Sequence, residues 1–257
     1  PGFYGKTRLG KVKTFSRGGS DITGSIVARG MHAELYENWT DVSGVFMADP
    51  RIIADAKVID TMTYREVREL AAVGFNVFHE EAIAPVRDAG IPIRVKNTNH
   101  PEAPGTAIVS ERDCTAMPLI GVTVKTGYCR LVIEKLMLLR HAGLRERLEA
   151  TLRTLGVSAE FAAMGIDSVA WFFPSSQVAN GLLASIGPLL QKEFGLDTAL
   201  CETGFALAAV GGEGMNGTAA LIAKAWPSLA SASVDVLHVS FGVSRTTCLF
   251  AIPESQA

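Results

Sequence analysis

Along the first 110 residues the apolar positions switch between a period of two and a period near 3.6, the spacings of a strand and of a helix. Residues 11–15 read as a short strand. The polar, glycine-rich turn 16–21 follows, then a small-residue helix over 22–29 that stops at Gly30. Residues 33–37 predict a second strand, with Thr40, Asp41 and a loop through Asp49, Pro50 and Arg51 after it. Thr63 and Glu66 stand at the spacing of a capping box, in which each side chain satisfies a free amide of the helix's first turn. Val67, Leu70 and Ala71 then supply one apolar stripe before Gly74. A further helix over 79–88 ending at Gly90, and an alternating strand over 91–96, complete an order that predicts an α/β layered domain.

Residues 97–118 are rich in Asn, Pro, Gly and charge and read as a linker. Strands are expected over 121–124 and 130–134. Leu144, Leu148, Leu152 and Leu155 recur at helical spacing up to Gly156, a suitable helix stop. Two short strands, 159–163 and 169–173, joined by Met164-Gly165-Ile166-Asp167, precede a helix over 176–194. From 199 the scheme repeats: strand 205–210, a turn over 211–214, a helix from Thr218, and strands 234–239 and 247–252. Pro227 falls inside that helix, where its missing N–H and its ring predict a kink costing about 3 kcal/mol. Two successive β-α-β-β runs predict a pair of ferredoxin-like modules. The expected division is 1–110, 111–198 and 199–257.

Composition narrows the class. Hydrophobic residues make up 48% and charged residues 19% of the 257, ample material for packed cores and against general disorder. A net charge of −2, from 24 Lys+Arg and 26 Asp+Glu, lacks the basic excess of a protein that binds nucleic acid. Cys114, Cys129, Cys201 and Cys248 form no CxxC pair, so free thiols in a reducing compartment are expected, and no metal-ligating set is assigned. No apolar run reaches the ~20 residues of a membrane helix, and no signal-peptide pattern is present. The expectation is a soluble cytoplasmic protein with neither a membrane nor a nucleic acid as partner.

Gly18 and Gly19 let backbone amides approach a ligand, and their turn feeds a helix N-terminus, where free N–H groups and the dipole favour an anion. Arg17 adds a planar fork suited to phosphate or carboxylate. Ser20 and Asp21 equally suit a plain N-cap and its neighbour. Ligands of open α/β sheets bind at the carboxyl ends of strands. The Thr40-Asp41 and Asp49-Pro50-Arg51 loops could therefore meet in one crevice, or each be an ordinary turn. His79, beside Glu80 and Glu81, reads as packing or capping at a helix start, and Arg145-Glu146-Arg147 as a solvated helix face.

Several ordered strings together carry a resemblance: residues 14–25 (Thr-Phe-Ser-Arg-Gly-Gly-Ser-Asp-Ile-Thr-Gly-Ser), 36–46 (Tyr-Glu-Asn-Trp-Thr-Asp-Val-Ser-Gly-Val-Phe), Ala48-Asp49-Pro50-Arg51, 64–70, 74–79 and 92–99. They resemble the aspartate kinase branch of the amino acid kinase family, densely over 1–110 and more loosely to about 252. The nearest likeness is to its lysine-sensitive single-chain form. The resemblance implies an α/β fold: the C-terminal half of an α/β/α kinase sandwich, followed by two ferredoxin-like βαββαβ ACT domains, the second incomplete. It implies transfer of the γ-phosphoryl of ATP, with Mg2+, to the side-chain carboxylate of L-aspartate, the first step toward lysine, threonine and methionine. Asp21, with Arg17, would be catalytic; Arg17 and Ser20 would contact the substrate carboxylates. Thr40, Asp41, Phe46 and Arg51 would surround ATP. Lysine or threonine would act as effector between the ACT units of a homodimer, near Lys125, Thr126, Tyr128, Asp167 and Ser168. Asp167 reads equally as a plain turn residue.

Three departures accompany the resemblance. Phe46 stands where the family often has Tyr, and Asn76 where some members have a nucleotide-contacting Lys. The family's Lys-Phe-Gly-Gly-Ser stretch is not among these residues, so the chain alone is expected to bind an effector without turnover. The alternative is a noncatalytic, amino-acid-binding regulatory fragment or subunit.

Overall fold

The structure, a computed structural model, describes residues 2–15, 18–75, 80–179, 181–215 and 219–257. Ser16, Arg17, Asn76, His79 and Thr218 lie outside the described residues. The chain groups into two compact units, neither continuous in sequence. One comprises Pro1–Thr123, Ala209–Trp226 and Phe241–Cys248; the other comprises Val124–Ala208, Pro227–Ser240 and Leu249–Ala257.

The first unit opens with the hairpin β1 (Tyr4–Lys6) and β2 (Val12–Thr14). There follow α1 (Gly19–Gly30), β3 (Tyr36–Thr40), β4 (Thr61–Thr63), α2 (Tyr64–Ala72), α3 (Ile83–Asp88), β5 (Ile93–Asn97) and β6 (Thr106–Val109). Strands β3 to β6 form a mixed sheet in the order β3-β5-β6-β4, parallel at β3–β5 and β4–β6 and antiparallel at β5–β6. Along β5 the period of two is literal: Ile93, Val95 and Asn97 are buried while Arg94 and Lys96 are half-exposed. Ile93, Val95 and Ile108 meet Ile22 and Ala28 of α1 and Val67 and Leu70 of α2 in one core. The capping box is present as its spacing predicts. Thr63 Oγ1 accepts from the Glu66 N–H at 3.2 Å, and Glu66 Oε2 accepts from the Thr63 N–H at 2.9 Å.

Two expectations need correcting here. The strand expected over 33–37 runs from Tyr36 to Thr40, because the Ala33 N–H closes α1 on the Ala28 carbonyl and pairing with the next strand starts only at Tyr36. Residues 97–118 are not a bare linker. They contain β6, whose Thr106 and Ile108 are fully buried.

The chain continues through β7 (Gly121–Glu134), α4 (Leu144–Thr154), β8 (Phe161–Met164), β9 (Ser168–Pro174), α5 (Leu182–Phe194), β10 (Thr198–Gly211), α6 (Ala219–Ala223), α7 (Ala225–Ser231), β11 (His238–Ser240) and β12 (Thr247–Pro253). The strands form one sheet in the order β11-β12-β10-β7-β9-β8. Within it, β10-β7-β9-β8 with α4 and α5 has the ferredoxin-like arrangement expected of one module. The strands after 199 extend this same sheet instead of building a separate one. The two short strands expected over 121–134 are one, since Gly127 at φ 81° absorbs the irregularity without ending the pairing. The helix expected from 176 starts at Leu182, after the left-handed Gly181. The helix around Pro227 is broken at Lys224, so the proline sits in the first turn of α7, where its missing N–H has no partner to lose.

In the second unit Cys129, Leu131, Ile133, Val169, Trp171 and Phe173 point at α4 and α5 and pack on Leu144, Leu148 and Leu152. Arg130 points to the opposite face, where it pairs with Glu202 at 2.8 Å and lies 4.6 Å over the Phe205 ring. Between residues 202 and 205, Gly204 takes φ 89°, a backbone conformation open to glycine that breaks the strict alternation of β10. Phe161 of β8 and His238 of β11 stand on opposite edge strands, yet their rings are 5.4 Å apart. Accumulated strand twist has curled the sheet until its edges meet.

Candidate functional site

Gly18 is the N-cap of α1, in the left-handed region at φ 67°, with no side-chain cap. Any residue with a Cβ would be strained there by about 1–2 kcal/mol. Ser20 is therefore not the N-cap; it and Asp21 occupy the second and third helical positions, in the turn whose amides have no helical acceptor. A carboxylate at that end is favoured by the helix dipole. Among the described residues the Asp21 carboxylate is bonded to the Ser20 hydroxyl alone, at 3.4 Å, which leaves it available to a ligand or its metal.

The first turn is held to β3 through a phenol. Tyr36 donates to the Asp21 carbonyl at 3.2 Å and accepts from Asn38 Nδ2 at 3.3 Å. Asn38 lies two positions along the same strand face and is buried. Burial raises the Tyr36 pKa above its ordinary value; the Asn38 bond lowers it and the nearby Asp21 raises it, so the hydroxyl stays a donor. Gly24 makes this contact possible, since a Cβ there would stand 2.5 Å from the Tyr36 hydroxyl.

Thr40 ends β3 opposite Asn97, the last residue of its parallel neighbour β5. Both the N–H and the hydroxyl of Thr98 donate to the Thr40 carbonyl at 2.8 Å. Asn97 Nδ2 donates to Ser43 Oγ at 2.9 Å, and the Thr40 hydroxyl to Asp41 at 3.1 Å. The 40–43 and 97–99 loops are thus tied together at the carboxyl edge of two parallel strands, where such sheets bind ligands. Phe46 is half-buried and bridges Val58. Arg51 folds back on its own loop, with Nη2 2.6 Å from Asp49 Oδ2 and a side chain 88% exposed. The Arg51 hydrogen bonds hold the Asp49 carboxyl below its ordinary pKa. A pair so open to solvent is weak, so the guanidinium is readily released.

The five residues expected around an effector fall into two groups. Tyr128 pairs with Pro174 and Glu134 with Ser168 on the β7–β9 ladder, so six strand positions, about 20 Å, separate them. At one end Lys125 contacts Glu160 at 3.0 Å, Tyr128 donates to the same Glu160 oxygen, and the Lys125 ammonium lies 5.3 Å from the Tyr128 ring centre. Burial, then the Glu160 bond, pushes the Tyr128 pKa up to about 12. Thr126 is exposed beside them. At the other end Asp167 closes a turn: its carbonyl accepts from the Lys135 N–H at 2.9 Å and its Oδ1 from the Leu138 N–H at 3.2 Å. The sequence reading gave no role to Tyr36, Asn38, Asn97 or Glu160. Alternation could have put Tyr36 and Asn38 on one face; nothing local pointed to the others.

Comparison with known proteins follows this geometry. Residues 1–97 match the amino acid kinase family. Aspartokinase 3 of Bacillus subtilis is 39% identical over 256 residues, covering all of this chain and 56% of the relative. The crystal structure of Clostridium acetobutylicum aspartate kinase, described as an allosteric enzyme, superposes with a TM-score of 0.91 at 39% identity, over 99% of this chain and 59% of that one. Escherichia coli aspartokinase III in complex with aspartate and ADP gives 0.80 at 25% identity, over 99% and 56%. Its complex with lysine and aspartate gives 0.77 at 26%, over 100% and 56%. The chain spans a little over half the length of these relatives.

Proposed function

We propose, from the match of residues 1–97 to the amino acid kinase family and the likeness of the whole chain to aspartokinases, that the protein carrying it is an aspartate kinase. It passes the γ-phosphoryl of ATP to the side-chain carboxylate of L-aspartate under control of an end-product amino acid. The observation that carries this reading is Asp21, whose carboxylate bonds no other element among the described residues, in the amide-rich first turn of α1 fixed to β3 by Tyr36.

Phosphoryl transfer asks a protein for positioning and charge neutralisation more than for covalent chemistry. Ser20 and the first-turn amides would orient the aspartate carboxylate that attacks, with Arg17 contributing a second cation. Asp21 would hold the geometry of the transfer. Thr40, Asp41 and the half-buried face of Phe46 would border the nucleotide, and Arg51, released from Asp49, would neutralise its phosphates. Among the described residues no three His, Cys, Asp or Glu side chains cluster as a metal site. Mg2+ arrives on substrate phosphates and needs only one or two carboxylates, a role the Asp21 carboxylate would take. Bound there, the ion would supply charge compensation for the phosphates. The second unit, with its ferredoxin-like order, is read as ACT-type, taking lysine or threonine as effector and pairing with a second copy.

Aspartate-dependent ADP release by the intact protein tests the reading, wild type against Asp21→Asn. A loss of about 100-fold or more in kcat is expected from removing a group acting in the transition state. Unchanged turnover in the variant would refute the assignment of Asp21. Saturable amino-acid binding with no turnover in wild type would replace the kinase by a regulatory subunit.

A further inference from the structure

We propose that Tyr36, backed by Asn38, is a positioning residue of the transfer: one phenol on β3 sets the separation between the α1 turn that holds the attacking carboxylate and the strand end that borders the nucleotide. The proposal deepens the aspartate-kinase reading and rests on it.

Strand β3 serves both sides of the site. Its last residue, Thr40, leads into the loop tied to residues 97–99, and its first, Tyr36, bonds the Asp21 carbonyl in the first turn of α1. Transfer needs the attacking and leaving oxygens roughly in line, and a misplacement of about 1 Å can cost about 100-fold. Helix α1 starts on the left-handed Gly18 without a side-chain cap, so its first turn takes its position from tertiary contacts such as this one.

Three features make the contact specific. A backbone carbonyl has two lone pairs, so the Asp21 oxygen can take the phenol in addition to a helical N–H. Gly24, one turn further along α1, leaves the notch that the ring fills. A Cβ there would stand 2.5 Å from the Tyr36 hydroxyl and 2.8 and 2.9 Å from Cε2 and Cζ, so the helix lies in contact with the ring. Asn38, 8% exposed on the same strand face, donates from Nδ2 to the hydroxyl at 3.3 Å, which directs the phenol's own proton at Asp21. Because that proton is committed to a main-chain carbonyl, Tyr36 acts through the placement of Asp21 and not on the reacting atoms.

Tyr64 supplies an internal control. It is 6% exposed in the first turn of α2, and its hydroxyl donates to the Ile91 carbonyl, a bond of the same kind that ties no residue assigned to the site.

The test measures aspartate-dependent ADP release by the intact protein as wild type, Tyr36→Phe, Asn38→Leu, the double variant and Tyr64→Phe. Thermal melts fix an assay temperature at which each is folded. Tyr36→Phe keeps the ring and removes one oxygen. It should lower kcat tenfold or more and leave KM for aspartate and for ATP within threefold, since an interaction that only aligns the ligands acts on the transition state. Tyr64→Phe should lower the melting temperature and leave kcat within twofold. Asn38→Leu should lower kcat in the same direction, and the double variant should lose less than the product of the two single losses. A kcat for Tyr36→Phe within twofold of that for Tyr64→Phe, or a loss confined to KM, overturns the positioning role while the kinase reading stands. Single losses that multiply in full overturn the part given to Asn38. No turnover by wild type overturns the kinase reading, and the positioning role falls with it.

Discussion

Replacing Arg112 by Met should be among the most damaging single changes in the first unit. Glu66 is the N3 residue of the α2 capping box and is 1% exposed. Its Oε1 accepts from Arg112 Nη2 at 2.6 Å and from the Glu213 N–H at 2.7 Å, while Arg112 Nε lies 3.1 and 2.9 Å from its two oxygens. Arg112 Nη1 also donates to the Met117 carbonyl at 2.8 Å. The Arg112 side chain is 5% exposed, and its partner raises its pKa further above the ordinary arginine value, so the guanidinium is charged and dry. Removing the guanidinium leaves a buried carboxylate with only the Thr63 and Glu213 amides. Breaking a buried ion pair from one side costs about 3–5 kcal/mol. At roughly 2–4 °C per kcal/mol for a unit of this size, the melting temperature should fall by about 6–20 °C. Urea unfolding followed by far-UV circular dichroism measures the loss, and hydrogen exchange should locate it in α2 and around Glu213. Because Glu66→Gln removes the opposite charge of the same pair, the double variant should lose less than the sum of the singles by about 1 kcal/mol or more. A loss under about 1 kcal/mol for Arg112→Met, or strict additivity in the cycle, would show that the pair does not organise the unit.

Two further outcomes follow from the same geometry. Gly24→Ala gains about 1 kcal/mol of helix propensity. It also drives a Cβ to within 2.5 Å of the Tyr36 hydroxyl, and overpacking at about 1–3 kcal/mol plus two strained hydrogen bonds should win. Thermal melts should show net destabilisation and steady-state assays a lower kcat; a more stable variant would mean that Tyr36 yields freely. Tyr128, raised to about 12 from 10 in the fold, keeps its proton where the unfolded chain has lost it. Its contribution is therefore complete below pH 10 and is lost as pH rises toward 12. Absorbance titration at 295 nm should find this phenol late, and Tyr128→Phe should flatten the stability profile between pH 10 and 12; an ordinary titration near 10 would contradict the part-buried Glu160 bond.

The capping box at Thr63–Glu66, the leucine stripe ending at Gly156 and the alternation through 93–97 were legible in the sequence, because each is a pattern over a few neighbouring residues and backbone geometry converts spacing directly into a face. So was the glycine-rich turn 16–21 leading into a helix, although the helix was expected from Ile22 and starts at Gly19. The strand inside 97–118 was not legible: in a run of polar and breaking residues, its pairing depends on β4 and β5 being in place. The same holds for Ser20, whose side chain suits an N-cap until Gly18, free to adopt a positive φ, takes the cap two positions earlier. Glu160 and Glu213 gave no signal, since a carboxylate in a loop and an amide in a glycine turn acquire roles only from partners 32 and 147 positions away. The sequence by itself determined the helices and strands whose apolar spacing is periodic, and which faces they bury. Which distant carboxylates, phenols and guanidinium groups meet was decided only by the tertiary structure, because register and sheet curvature, not local spacing, bring them within hydrogen-bond reach.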